Sequence, residues 1–149
     1  VCFTFRYIKI KIICKKHGIF EQTPDNHINK KTGCPICNES KGEKEIRIIL
    51  NNLNIKYIKQ KTFNNCKNKR KLPFDFYLTD YNLCIEFDGI QHFKSIEYFG
   101  GEKVLKETQK RDLIKNNYCK ENNIKLLRIK YNENILKKLK KYNEKNKIF

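Results

Sequence analysis

The stretch LPFDFYLTDYNLCIEFDG, residues 72–89, decides the fold. Its first half sets Leu72, Phe74, Phe76 and Leu78 at every second position, which gives a strand one apolar face and turns Asp75 to the other. Thr79 to Asn82 form a turn. The second half repeats the pattern: Leu83, Ile85 and Phe87 share a face, while Glu86 and Asp88 point the opposite way until Gly89 breaks the ladder. Paired through the turn, the strands bring three carboxylates to one sheet face. Such a gathering is costly unless a cation neutralises it, and all-oxygen ligands favour Mg²⁺ or Mn²⁺, which can position a phosphodiester and acidify an attacking water. With only 16 acidic residues in the chain, their clustering is informative. The competing reading is a solvent-facing strand on which acids alternate without consequence.

Working outward, IKYIKQKTF (55–63) alternates as a preceding strand, and NNCKNKRK (64–71) is a basic loop. Its Lys67, Lys69, Arg70 and Lys71 suit contacts along a phosphate backbone that carry no sequence information. Further upstream, Ser40 and Glu43 make a capping box, and Ile46, Ile49, Leu50 and Leu53 fall at the spacing of a three-turn helix. Downstream, Gly100 and Gly101 precede a helix from about Glu102 to Glu121 with Leu105, Ile114 and Tyr118 on its apolar side. IKLLRIKY (124–131) is a fourth strand, and NENILKKLKKY (132–142) a terminal amphipathic helix whose lysine face is either phosphate-bound or solvated. The order helix, three strands, helix, strand, helix gives an α/β (α+β) fold.

The N-terminal segment follows another logic. YIKIKII (7–13) alternates apolar and basic residues, CKKHG makes a turn, and IFEQTP is a second strand closed by Pro24. Cys14 and His17 sit in that turn, where Gly18 supplies the positive φ a tight knuckle needs. A polar loop leads to Cys34 and Cys37, so the spacing is Cys-x2-His, a loop, then Cys-x2-Cys. Thiolate and imidazole in this arrangement suit tetrahedral zinc, and four protein ligands leave no place for water, hence a structural metal. His27 has no partner at x2 spacing and is read as a loop or DNA-facing residue. A segment this short buries too little surface to fold alone, and metal binding, worth on the order of 10 kcal/mol, makes up the deficit. Residues 7 to about 40 resemble a treble-clef or zinc-ribbon finger, a class that binds DNA, RNA or protein. The expected domains are therefore 1–40 and 41–149.

LPFDFYL, LCIEFDGIQHF, TQKRDLIKNNYC and IKLLRIKY, within residues 42–131, resemble the PD-(D/E)XK restriction-endonuclease-like nucleases, in the branch that holds very-short-patch mismatch-repair endonucleases. A finger ahead of such a core is similar to phage and large-virus nucleases of the homing kind. The resemblance implies an αβββαβ core and a Mg²⁺-dependent DNA endonuclease. It makes Asp75 and Glu86 metal ligands, with Pro73-Phe74-Asp75 matching the proline-aspartate motif except for one inserted residue. The lysine expected two positions after the acid is Asp88 here, a side chain better suited to binding metal. The missing positive role passes to His92, to Gln91 or to Arg111, and EFDGIQH fits a variant pattern within the superfamily. His92 suits general acid or base work, and Glu43 is read as a cap.

Composition bounds the rest. A net charge of +17 makes a polyanion the expected partner, double-stranded DNA under the nuclease reading, although the abundance of Lys, Asn and Ile also reflects A/T-rich codons. Every apolar run is interrupted by a polar residue, which excludes a membrane-spanning helix. Seven cysteines, an odd number, with metal-site spacing argue for a reducing compartment: an intracellular protein, in cytoplasm or nucleus and in keeping with a virus-infected cell, not a secreted one. A core this small cuts both strands only by acting twice or as a homodimer. Two rivals stand beside the nuclease: a catalytically inactive zinc-containing nucleic-acid-binding module, and a protein-binding zinc adaptor.

Overall fold

The computed structural model describes residues 8–147, so Tyr7 of the expected first strand lies outside the described residues. The chain divides into two compact units between Lys44 and Glu45.

In the first unit, β1 (Ile10–Cys14) pairs antiparallel with β2 (Gly18–Gln22), from Ile10 opposite Gln22 to Cys14 opposite Gly18. The turn closes through the His17 N–H donating to the Cys14 carbonyl at 3.3 Å, and Gly18 takes φ +77°. No neighbour crowds Gly18, so the requirement for glycine there is one of backbone conformation alone. The polar segment after Pro24 is more ordered than a plain loop. Asp25–Asn29 form a wide turn in which the Lys30 N–H reaches the Asp25 carbonyl at 3.1 Å.

Helix α1 (Lys41–Asn52) runs across the division between the units. Its cap is the expected one: Ser40 Oγ accepts from the Glu43 N–H at 3.2 Å. Ile46 and Leu50 are fully buried and Ile49 packs beside them. Leu53, expected on the same face, is 53% exposed. The helix has ended by then, Asn54 turns left-handed at φ +53°, and Ile55 is the next residue in the core.

The second unit contains a four-stranded sheet in the order β3 (Ile58–Lys67), β4 (Lys71–Leu78), β5 (Leu83–Asp88), β6 (Lys125–Lys130). The first two pairings are antiparallel and the last is parallel. Helix α2 (Gly101–Glu121) connects β5 to β6, and α3 (Ile135–Asn146) follows, capped by Asn134, whose side chain accepts from the Lys137 N–H at 2.8 Å. The element order read from the sequence is the order found. The basic loop, however, is shorter than expected. β3 continues to Lys67 because Cys66 is buried against Leu72 and Phe74, so Lys67 and Lys71 face each other on strand ends and only Asn68–Arg70 turn.

Helices cover both sheet faces. On one, α1 and α3 bury Ile46, Leu50, Ile135 and Leu139 against Phe76, Leu78, Leu83, Ile85, Leu127 and Ile129. On the other, Ile114, Tyr118 and Cys119 of α2 pack with Leu72, Phe74, Cys66 and Cys84. The four apolar residues of β4 are thus divided between two cores rather than sharing one. The change falls at Asp75. Opposite it Gln60 is left-handed at φ +52°, and regular pairing of β4 with β5 ends at Phe76 opposite Ile85. The two strands part there, and that opening receives the carboxylates.

Candidate active site and candidate metal centre

Where β4 leaves β5, side chains replace the ladder. The Asp75 N–H donates to Glu86 Oε1 at 3.0 Å, and Asp75 Oδ2 accepts from the Phe87 N–H at 2.8 Å. Glu86 Oε2 takes a 2.7 Å hydrogen bond from Lys115 of α2, whose ammonium also lies 5.1 Å from the Phe74 ring centroid. Glu86 is 3% exposed and Asp88 4%, which excludes a solvent-facing strand surface. Burial pushes the Glu86 carboxyl above the usual carboxylate range even though Lys115, Arg128 and the Asp75 amide oppose the shift.

One step along β5 stands a second group. Arg128, directly opposite Glu86 in the parallel pairing, donates from Nε and Nη2 to the two oxygens of Asp88 at 2.8 and 2.5 Å, and from Nη2 to Asp112 Oδ1 at 2.7 Å. Its Nη1 donates to Asn116 Oδ1 at 3.1 Å. Burial works against the guanidinium charge, but the Asp88 and Asp112 bonds overcome it and raise the Arg128 pKa. The remaining Asp112 oxygen lies 2.7 Å from His92 Nδ1. Burial would raise Asp112, yet the His92 hydrogen bond and the Arg128 charge hold it below its usual value, so it is ionised and can only accept. His92 Nδ1 must therefore carry the proton, which leaves Nε2 as the acceptor in the neutral ring.

The sequence-predicted residues are thus partly assembled. Asp75, Glu86, Asp88 and His92 come together, but the three carboxylates do not form one ligand set. Glu86 turns to Lys115 and Asp88 to Arg128, and among the described residues the second group able to hold a metal ion is Asp88, His92 and Asp112, with ligand atoms within 4.8 Å of one another. Gln91 folds its amide over Gly89, where a Cβ would collide with it. Arg111 is outside the cluster: it is exposed, with Nε 4.0 Å from Glu107, because α2 directs the next residue, Asp112, and Lys115 three further on toward the sheet. Lys67, Lys69, Arg70 and Lys71 are all exposed. Asp112, Lys115 and Arg128 were not singled out from the sequence. A signal existed for Arg128, since Leu127 and Ile129 face one core and put it on the acidic side.

The other group able to hold a metal is Cys14, His17, Cys34 and Cys37. His17 Nδ1 lies 3.7, 3.7 and 3.4 Å from the sulfurs of Cys14, Cys34 and Cys37, and the Cys14 and Cys37 sulfurs are 3.7 Å apart. Four ligands at tetrahedral zinc distances stand roughly 3.5–3.8 Å apart, and these four separations suit such an ion. A hydrogen bond from the Lys16 backbone, with help from His17 and Cys37, lowers the Cys14 thiol to about 6, while its bond with Cys14 raises Cys37 to about 11. His27 is no part of this group. Its Nδ1 lies 3.1 Å from Gln22 Oε1, and its ring packs near Phe20.

Residues 1–38 match a family described as Protein of unknown function (DUF723). Two viral proteins are similar to the chain. Uncharacterized protein 094L of Frog virus 3 (isolate Goorha) is 31% identical over 98 residues, covering 62% of this chain and 63% of that protein. Uncharacterized protein 307L of Invertebrate iridescent virus 6 is 34% identical over 61 residues, covering 40% of this chain and 31% of that protein. The chain spans less than two thirds of either relative. No solved structure matches. No helix among the described residues is long and apolar enough to cross a membrane.

Proposed function

We propose that the chain is a metal-dependent DNA endonuclease that hydrolyses phosphodiester bonds, with a structural zinc finger assisting DNA binding and a restriction-endonuclease-like core carrying the chemistry. The observation that carries this reading is the buried cluster at the ends of β4 and β5, where Glu86, Asp88 and Asp112 face Lys115, Arg128 and a His92 with a fixed tautomer. Zinc would be held by Cys14, His17, Cys34 and Cys37. A divalent ion would be held by Asp88 and Asp112, next to Asp75 and Glu86, and would supply polarised phosphoryl oxygens and a more acidic water. His92 Nε2 takes a proton from the attacking water, and Asp112 stabilises the resulting imidazolium. Lys115 and Arg128 supply the positive charge that the family places two residues after the acid. Water adds to phosphorus, the bond to the leaving oxygen breaks, and that oxygen takes a proton from solvent.

The test is cleavage of plasmid and synthetic duplex DNA by zinc-loaded protein with and without Mg²⁺ or Mn²⁺. His92→Ala should lose about 10²- to 10⁴-fold in rate, while Arg111→Ala should cut like wild type. Intact DNA at every metal concentration and salt, with folding and zinc content verified, would refute the reading. One observation favours the inactive DNA-binding module as a second reading: Lys115 and Arg128 already occupy the carboxylates, so no metal is needed to balance them. That module would bind DNA and cut none.

A further inference from the structure

The hairpin of the first unit carries a feature that neither metal group accounts for. Ile13 and Ile19 stand directly opposite each other near its tip and are 76% and 66% exposed. Single exposed apolar residues are ordinary, but a cross-strand pair at the end of a ribbon presents a joined apolar surface that the folded chain leaves to water. Alternation puts Lys11 on the same face as this pair, and the turn adds Lys15 and Lys16, all three exposed. Glu21, opposite Lys11, is the acid on that face. On the other face Ile12 and Phe20 are half-buried, Phe20 packs near His27, and Cys14 belongs to the metal group, while Ile10 at the far end is exposed. Cys14 and His17 therefore fix the turn, and a bound metal would stiffen the ribbon at its tip.

We propose that this face is a β-ribbon that enters the major groove of duplex DNA, with Lys11, Lys15 and Lys16 on phosphates and Ile13 and Ile19 against thymine methyl groups. Two paired strands lie about 4.8 Å apart. With side chains they suit a groove about 12 Å wide and not the minor groove of about 6 Å. The deep, narrow major groove of duplex RNA would not admit them. Charge complementarity selects nucleic acid over an acidic-poor or apolar protein surface. The thymine methyl is the apolar group that the major groove displays. The proposal rests on the DNA-partner part of the proposed function and is independent of cleavage.

The test uses the full zinc-loaded chain without added Mg²⁺ or Mn²⁺, and measures affinity by fluorescence anisotropy for an A·T-rich duplex, the same duplex with deoxyuridine in place of thymidine, and the matching RNA duplex. Wild type should bind the deoxyuridine duplex about fourfold more weakly for each thymine methyl that Ile13 or Ile19 would have covered, and the RNA duplex more weakly still. Ile13→Ser/Ile19→Ser should bind both DNA duplexes equally. Lys15→Glu/Lys16→Glu should reduce the slope of log affinity against log salt by roughly 1.8, the value for two phosphate contacts. All four positions are exposed, and unchanged zinc content and circular dichroism verify folding. Wild-type affinity in both hairpin variants, equal preference for RNA, or no DNA binding overturns the proposal. A face that docks a protein instead would give the first of these results. Loss of cleavage with these binding differences intact would count against the catalytic reading alone.

Discussion

Arg128 holds together what would otherwise be an unstable gathering of charge. Its guanidinium lies on Asp88 and Asp112, and the Asp88 side chain is 6% exposed. Arg128→Met leaves Asp88 buried without its counterion and should destabilise the fold by about 3–5 kcal/mol in urea unfolding. Asp112 and Glu86 should respond to pH in opposite directions. Asp112 has a lowered pKa in the folded chain, so its contribution is complete above the ordinary aspartate value of about 3.9 and is lost as pH falls through the lowered one. Asp112→Asn should therefore be less stable than wild type at neutral pH, with the gap closing in acid. Glu86 has a raised pKa from burial, so its ionisation weakens the fold as pH rises through that value. Unfolding midpoints measured across the acidic range check both. Glu86 and Asp88 were legible as a pair because β5 alternates and sets both on the face opposite Leu83, Ile85 and Phe87. Asp112 and Lys115 were not, since α2 is weakly amphipathic and its apolar positions do not single out the polar residues that face the sheet.

Among the elements, α1 shows how far periodicity carries and where it stops. Leu50 is fully buried and Leu53 is 53% exposed, although the same spacing joins them. Leu50→Ala should cost about 2–5 kcal/mol, and Leu53→Gln should stay within about 0.5 kcal/mol, by thermal or urea unfolding. The helix ends at Asn52, between the two, and after the left-handed Asn54 the next core position falls to Ile55, a local event that a count of apolar positions does not register. β3 departs from expectation for the converse reason. Asn64, Asn65 and Lys67 look like loop composition, but Cys66 is drawn into the core below α2 and carries the strand with it. At Gly18, where φ is +77°, substitution by alanine should cost about 1 kcal/mol or more in backbone strain and lower metal affinity at the knuckle, as a competitive chelator titration would report.

For the whole molecule, the element order was legible because each helix and strand rests on its own periodicity. The surplus of positive charge is informative through its arrangement. Lys115 and Arg128 are turned inward onto buried acids, while the lysines of the hairpin and of the β3–β4 turn are exposed. If Cys14, His17, Cys34 and Cys37 hold a metal, its chelation should remove amide protection from β1 and β2 and leave that of β5 and β6, which hydrogen exchange would resolve. The most direct measurement is single-turnover cleavage of duplex DNA in Mn²⁺ by the zinc-loaded chain and by Asp88→Asn with equal zinc content and equal DNA affinity. Cleavage by the first and none by the second is the expected result. Cleavage that persists in Asp88→Asn, or its absence in both proteins, would contradict the proposed function.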